Sequence, residues 1–287
     1  MTNRKKEKLH NHSDADDEYE NIQKYYNLFY SNKHIRFGLW EEGTRNLREA
    51  LENTCLIVCD ILGIQKNDIV FDAGCGVGGT AIHIAETYGA KVEGVALSNV
   101  QLQQARENAA VAGISELLNF TRQDFSEKTT YANHYFTKII AIESIANISR
   151  KNECCSELYR ILDTNGKIVI VDLFKTDRKF NPEDMQIYTN FINSSRWELH
   201  LITQKQLTNC LKDNGFKNVQ FYDKTKQVEI VSHHSVRIAF LLFPILFLGG
   251  KLGLVAKEMI TEIKTIFKQR RAFKEGLLSY GILYAEK

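Results

Sequence analysis

The residues with the clearest chemical potential form a glycine-rich segment, VFDAGCGVGG, at positions 70–79. A glycine-rich turn between a strand and a helix lets backbone N–H groups approach a polar ligand at the start of the helix. Glycine is needed there because a Cβ would occlude that approach and several positions require unusual backbone angles. Gly74, Gly76 and Gly79 satisfy the GxGxxG spacing that nicotinamide dinucleotide sites also use. The segment, Gly78 included, predicts a cofactor site without deciding which cofactor it binds.

Two positions for acidic side chains separate the cofactors that such a turn can hold. Asp72 lies at the predicted end of the strand, just before the first glycine. A carboxylate suits a ligand that carries an ammonium and a sulfonium better than it suits a pyrophosphate. A dinucleotide site also needs an acid at the end of the second strand to bind the ribose. The sequence has Leu97 and Ser98 there, and Glu93 falls too early.

Hydrophobic periodicity and turn residues predict the elements that must position this segment. Strands are predicted at 68–72, 91–96, 117–122, 137–142, 167–172, 216–222 and 277–286. Helices are predicted at 47–62, 80–88, 99–112, 151–162, 182–193 and 203–214, with Asn165-Gly166 as a turn. Strands that alternate with helices predict an α/β fold with a doubly wound, mostly parallel, seven-stranded, Rossmann-like sheet.

Three regions are expected around this sheet. Residues 1–18 are polar and charge-mixed, which predicts a disordered arm. Residues 19–225 and 277–287 form the expected core, with N-terminal helices at its start. Residues 226–276 are largely apolar and helical in pattern, and they form an expected helical cap inserted before the last strand.

Several segments resemble class I S-adenosylmethionine-dependent methyltransferases. DAGCGVGG (72–79) is similar to their motif I, and GVALSNVQ (94–101) resembles a signature of the branch with tocopherol, sterol and cyclopropane-fatty-acid methyltransferases. In that branch the leucine-serine backbone and the glutamine replace the acidic ribose ligand, so the resemblance implies S-adenosylmethionine contacts at Leu97, Ser98 and Gln101. RQDFSE (122–127) resembles the loop that meets the adenine, which the resemblance carries to Asp124 and Phe125.

Further segments extend the resemblance over about residues 22–225 and the YGILYA end. KYYNLFY (24–30) and RFGLW (36–40) are similar to the branch's N-terminal segments that close over the cofactor, which implies such a role for Tyr25 and Tyr26. Ordinary core aromatics would have the same pattern. Three residues depart from the branch's usual histidine, histidine and proline: Asn147, Arg36 and Thr164.

The catalytic chemistry expected of such a site is modest. Methyl transfer is an in-line displacement at an already activated methyl group, so a protein supplies mainly proximity, alignment and exclusion of water. A general base is needed only where the acceptor loses a proton. Glu143 follows the fourth predicted strand, at the edge where ligands of open α/β sheets bind, and Ile142 before it is an expected cofactor contact. Glu143 is the candidate base, with orientation of a loop or of the cofactor as its alternative role.

Composition argues against several other classes. The chain has 37 Lys and Arg against 35 Asp and Glu, so no nucleic-acid partner is expected. Neither the six cysteines nor the histidines have metal-ligand spacing, so no metal site is expected. The first residues contain no apolar run, which predicts a cytoplasmic chain without a signal peptide. Oligomeric state is left open.

The apolar segment 238–250 is shorter than the roughly 18–20 residues that a membrane span requires. It predicts the lining of an apolar acceptor pocket, shallow peripheral contact with a membrane through 236–256, or simple helix packing. The expected function is therefore methyl transfer to a C, O or N atom of a small, lipid-like metabolite such as a prenylated quinone, a terpenoid or a sterol-like ring. Methylation of a small polar amine, nicotinamide-dependent oxidoreduction and cofactor binding without catalysis are the alternatives.

Overall fold

The computed structural model describes residues 37–195, 198–233, 236–237 and 257–287. The seven strands of the described chain are β1 Ile69–Ala73, β2 Lys91–Ala96, β3 Leu118–Arg122, β4 Phe136–Ile142, β5 Leu162–Lys175, β6 Lys217–Asp223 and β7 Leu278–Glu286. The bounded helices are α1 Leu47–Leu62, α2 Gly79–Tyr88, α3 Asn99–Ala112, α4 Lys151–Ile161, α5 Pro182–Ile192, α6 Gln204–Asp213 and α7 Lys257–Lys274. A 3₁₀ turn spans Ser115–Leu117, and residues 225–233 are helical.

The seven strands form one sheet in the order β3-β2-β1-β4-β5-β7-β6. The five strands from β3 to β5 run parallel, whereas β7 is antiparallel to both β5 and β6. Strand order reverses between β1 and β4, which makes that point the switch at which ligands of doubly wound sheets bind. The predicted mostly parallel, seven-stranded α/β fold is confirmed.

Helices cover both faces of the sheet, so its strands are buried on both sides as parallel strands require. One face carries apolar side chains of α1, α2, α3, α5 and α7. The other face carries those of α4 and α6. The two layers fix the strand ends relative to one another, and the carboxyl ends of β1, β2 and β4 therefore form a rigid edge.

One predicted turn proves wrong. Asn165-Gly166 was expected to separate helix and strand, but both residues lie within β5, which begins at Leu162. Pairing with β4 jumps from Leu162 to Lys167, so the intervening residues bulge out of the ladder. Asn165 has φ +62°, and its N–H donates to the carbonyl of Lys287 at 3.3 Å. The chain thus stays in the sheet because its far end supplies the hydrogen-bond partner.

Several expectations fall outside the described residues. These are Tyr25, Tyr26, the arm 1–18 and the apolar segment 238–250. Helix α7 lies between β6 and β7 in the chain, where the cap insert was expected, but the cap and its bounds 226–276 stay a prediction. Among the residues that are described, helices fall short of the length and apolarity that crossing a membrane demands.

Candidate functional site

The glycine turn joins β1 to α2 at the carboxyl edge of the sheet. Gly74, Gly76 and Gly78 have φ values of +89°, +53° and +83°. Three left-handed residues within five positions are accessible to glycine at little cost, which explains the composition of the segment. The amides of Gly74 and Cys75 both donate to the carbonyl of Val95, at 3.0 and 2.9 Å. These two N–H groups therefore bind β2 and are not the turn amides that meet a ligand.

The three glycines have different reasons to lack a side chain. A Cβ on Gly74 would lie 2.5 Å from Cβ of Ser144, and one on Gly78 would lie 3.0 Å from Cβ of Ala105. Both of these glycines allow close packing within the protein. A Cβ on Gly76 would meet only Nε2 of Gln101, at 3.8 Å. Gly76 therefore faces a space that the described protein atoms leave open, which is the cradle expected for a ligand.

Buried polar side chains lie in the two elements that flank the glycine turn, β1 and α3. Asp72, in β1, is 3% exposed, and Ser98 and Gln101, at the start of α3, are 1% and 7% exposed. Ser98 caps α3, because its Oγ accepts a hydrogen bond from the Gln101 amide at 3.3 Å. The side chain of Leu97 is 44% exposed. Asp72 thus lies in the strand that leads into the glycine turn, and Nε2 of Gln101 lies 3.8 Å from the position that a Cβ on Gly76 would take.

The loop after β3 approaches the same turn. Phe125 is buried, and its Cε1 would lie 3.8 Å from a Cβ placed on Gly74. Asp124 is partly exposed, and its Oδ1 accepts hydrogen bonds from the amide of Ser126 at 2.8 Å and from its Oγ at 2.6 Å. One carboxylate oxygen of Asp124 therefore shapes the loop.

Ile142 ends β4, the strand beside β1, and Glu143 follows it directly. Glu143 has φ +53°, a conformation that is uncommon for a residue with a side chain. Its Oε1 accepts hydrogen bonds from the Phe37 amide and from the Tyr280 hydroxyl, both at 2.7 Å. The next residue, Ser144, donates through Oγ to the carbonyl of Ala73 at 2.6 Å. The strand ends of β1 and β4 are thus tied together directly at the predicted site.

Two residues near the site were missed by sequence reasoning. Tyr280 is fully buried on β7, and Asp172, in β5, is 2% exposed. The Asp172 carboxylate accepts hydrogen bonds from the amides of Ile145, Ala146 and Leu173, each at 2.8 Å. Burial raises the pKa of Asp172 to about 6 although these hydrogen bonds oppose the shift. The sequence signal that could have identified Tyr280 and Asp172 is a side chain with a polar group at an inward-facing strand position near the end of the strand.

Metal-ligating side chains do not assemble within the described ranges. No group of three or more His, Cys, Asp or Glu in that part of the chain is placed to hold a metal ion. All six cysteines are free thiols there, and burial raises the pKa of Cys75 beside the glycine turn. This thiol therefore stays protonated and apolar at the edge of the site.

A comparison with protein-family models matches residues 3–227 to the mycolic acid cyclopropane synthetase family. Among curated relatives, the sterol 24-C-methyltransferase of Saccharomyces cerevisiae is 33% identical over 127 residues, which are 44% of this chain. The match spans only 33% of that relative's own length.

Solved structures share the fold at low sequence identity. The cyclase SpnF has a TM-score of 0.78 at 18% identity, with 96% of each chain covered. Geranyl diphosphate C-methyltransferase from Streptomyces coelicolor A3(2), crystallised with Mg²⁺, geranyl diphosphate and S-adenosyl-L-homocysteine, has a TM-score of 0.71 at 18% identity. The aligned part covers 96% of this chain and 97% of the geranyl diphosphate methyltransferase chain. One fold thus carries both a cyclase and a methyltransferase.

Proposed function

Because the chain belongs to the mycolic acid cyclopropane synthetase family of S-adenosylmethionine-dependent methyltransferases, we propose that it transfers a methyl group to a small, lipid-like molecule. The observation that carries the proposal is the open space at Gly76, bordered by Gln101 of α3. It lies at the switch point of the sheet, where this fold binds its ligands. A Cβ would fill this space, so the residues present fit a cofactor that approaches the backbone closely.

We assign the cofactor to residues of the strand ends, turns and loop that border the carboxyl edge of the sheet. In this assignment Gly76 allows the cofactor to approach the backbone closely, and the Asp72 carboxylate faces the ammonium and sulfonium charges. Gln101 binds the ribose together with the backbone of Leu97 and Ser98. Asp124 and Phe125 contact the adenine from the loop after β3. The remaining contacts come from Gly74, Gly78 and Ile142, and Tyr25 and Tyr26 complete the proposed set from outside the described residues.

When bound, S-adenosylmethionine supplies a methyl group that its sulfonium already activates. The task of this chain is then to align the acceptor with that methyl group and to keep water out. Two buried polar side chains near the carboxyl edge serve this purpose, because backbone amides hold them in place: Ser98 accepts the Gln101 amide, and Asp172 accepts those of Ile145 and Ala146. Such preorganisation avoids rearrangement at the moment of reaction.

The lipid-like acceptor is proposed from the sequence and from one relative. It is supported by the apolar segment 238–250 in the sequence and by the partial match to a sterol 24-C-methyltransferase. The cyclase among the fold neighbours shows why the fold alone decides neither acceptor nor reaction. The proposal extends to shallow membrane contact through 236–256, where Arg237 and Lys251 flank the apolar run.

A labelled-methyl assay tests both halves of the proposal. The chain is incubated with S-adenosylmethionine labelled in its methyl group and with a lipid extract, and the product is partitioned between organic and aqueous phases. We expect protein-dependent label in the organic phase. A labelled product that is distinct from S-adenosylmethionine and is found only in the aqueous phase would refute the lipid-like acceptor. The absence of any labelled product would refute the activity. Cosedimentation with vesicles containing anionic lipid tests the membrane contact separately.

A further inference from the structure

One carboxylate oxygen joins three segments that are far apart in the chain. Oε1 of Glu143 accepts the Phe37 amide and the Tyr280 hydroxyl, each at 2.7 Å. The rings of Phe37 and Tyr280 also touch edge to face, with centroids 5.6 Å apart and planes at 73°. Tyr280 is fully buried, so its hydroxyl needs a partner within the protein. Hydrogen bonds to a charged acceptor are stronger than those between neutral groups.

The backbone at Glu143 is held in an unfavourable conformation. Its φ of +53° is strained for a residue with a Cβ, and such a conformation persists only where its surroundings enforce it. Here the Glu143 amide donates to the carbonyl of Val171 at 2.8 Å, and Ser144 Oγ holds the carbonyl of Ala73 at 2.6 Å. Strained residues held in this way concentrate at functional sites.

The segment that supplies the Phe37 amide is itself anchored. The Leu39 amide donates to the carbonyl of Ala50 at 2.8 Å, and Asn53 Nδ2 donates to the carbonyl of Leu39 at 3.1 Å. Glu41 forms an ion pair with Lys224 at 2.7 Å. Glu143 is therefore fixed relative to α1 as well as to β7, and a shift of its carboxylate has to disturb both.

A displacement of Glu143 would also move Ser144, which contacts the glycine turn. Ser144 follows it directly, and the Cβ of Ser144 lies where a side chain on Gly74 would collide with it, at 2.5 Å. The loop from 143 to 146 is also held from below by the Asp172 carboxylate. The position of Glu143 thus sets one wall of the proposed cofactor cleft.

From these contacts we infer that Tyr280 is a positioning residue of the cofactor cleft. Its hydroxyl, together with the Phe37 amide, orients the Glu143 carboxylate and so holds the 143–146 loop against the glycine turn. Glu143 in turn connects the segment at Phe37 with β7, because its Oε1 accepts a hydrogen bond from each. The inference rests on the proposed function, because the cleft that Tyr280 shapes is the one assigned to S-adenosylmethionine.

The first test is Tyr280→Phe, which keeps the ring and its contact with Phe37 but removes the hydroxyl. We expect the dissociation constant for S-adenosylhomocysteine, measured by calorimetry, to rise about tenfold, close to the lower end of the range for a lost hydrogen bond to a charged group. Amide hydrogen exchange at Phe37 should accelerate. Tyr284→Phe is the matched control, since Tyr284 lies on the same strand near the other edge of the sheet, where its hydroxyl bonds Glu286. It should leave the dissociation constant unchanged.

The second test compares Glu143→Ala with Glu143→Gln. The glutamine carbonyl can accept both donors, whereas alanine accepts neither. We therefore expect Glu143→Ala to weaken S-adenosylhomocysteine binding at least as much as Tyr280→Phe, and Glu143→Gln to recover most of that loss. A glutamine variant that binds normally but transfers methyl groups more than a hundredfold more slowly would overturn the inference and make Glu143 a general base.

The outcomes separate the inference from the function on which it rests. If the wild-type chain binds S-adenosylhomocysteine and Tyr280→Phe binds it with the same affinity, only the inference is overturned. A wild-type chain that does not bind S-adenosylhomocysteine would overturn the proposed function and the cleft role of Tyr280 with it. Tenfold weaker binding in Tyr280→Phe, with Tyr284→Phe unaffected, supports both.

Discussion

Replacement of Gly76 by alanine separates cofactor binding from folding. Gly76 has φ +53°, and a Cβ there would meet no protein atom closer than Nε2 of Gln101 at 3.8 Å. The substitution therefore carries a backbone cost without a steric clash. That cost is about 1–2 kcal/mol for an L-residue in the left-handed region. In a chain of this size it lowers the melting temperature by roughly 2–8 °C.

Gly113→Ala provides the matched control. Gly113 ends α3 with φ +72°, and nothing lies within 4 Å of the position that its Cβ would take. The two variants should therefore lose similar stability in thermal or urea unfolding. Only Gly76→Ala places its methyl group in the space assigned to the cofactor, so we expect its dissociation constant for S-adenosylhomocysteine to rise at least about tenfold, a loss of about 1.4 kcal/mol.

Calorimetric titration of both variants with S-adenosylhomocysteine tests whether the cofactor binds at Gly76. Equal affinity in Gly76→Ala and Gly113→Ala, with equal loss of stability, would refute the placement of the cofactor at Gly76. Gly74→Ala is unsuitable for this comparison, because its Cβ would collide with that of Ser144 at 2.5 Å and disturb the loop itself.

Two further predictions concern buried carboxylates. Burial raises the pKa of Asp172 to about 6. The folded state therefore keeps a proton that the unfolded state loses near pH 4. The stability that this group contributes below pH 4 is lost as the pH rises to about 6. The free energy of unfolding of the wild type, relative to Asp172→Asn, should fall by about 3 kcal/mol over that interval in urea titrations, and a constant difference would contradict the assignment. Glu157 is buried, binds Arg160 at 2.6 Å and accepts both the amide and the hydroxyl of Thr129. Glu157→Ala should therefore cost about 3 kcal/mol in urea unfolding, whereas a loss below 1 kcal/mol would show that the pair contributes little.

Local signals predicted the elements that present the cofactor residues. Helix α3 was predicted at 99–112, its observed bounds, and in the structure Ser98 and Gly113 cap its two ends. Strand β2 was likewise predicted at its observed positions, 91–96. Caps and strand-to-glycine transitions depend on neighbours in the sequence, so a single chain reveals them.

Long-range partners were not predictable in this way. Asn165-Gly166 has the composition of a turn, but hydrogen bonds to Lys287, more than a hundred residues away, keep it within β5. Tyr280 reads as one apolar position in an alternating strand, and nothing nearby in the sequence points to its bond with Glu143. These contacts depend on strand order, which places β7 beside β5 only after the sheet has formed.

The most direct test of the central claim is thermal unfolding of the wild-type chain with saturating S-adenosylhomocysteine, compared with NAD. A ligand that binds only the folded state stabilises it by about 2.7 kcal/mol at one hundred times its dissociation constant. The proposed site predicts a clear rise in melting temperature with S-adenosylhomocysteine and none with NAD. No rise with S-adenosylhomocysteine, or a rise with NAD alone, would contradict it.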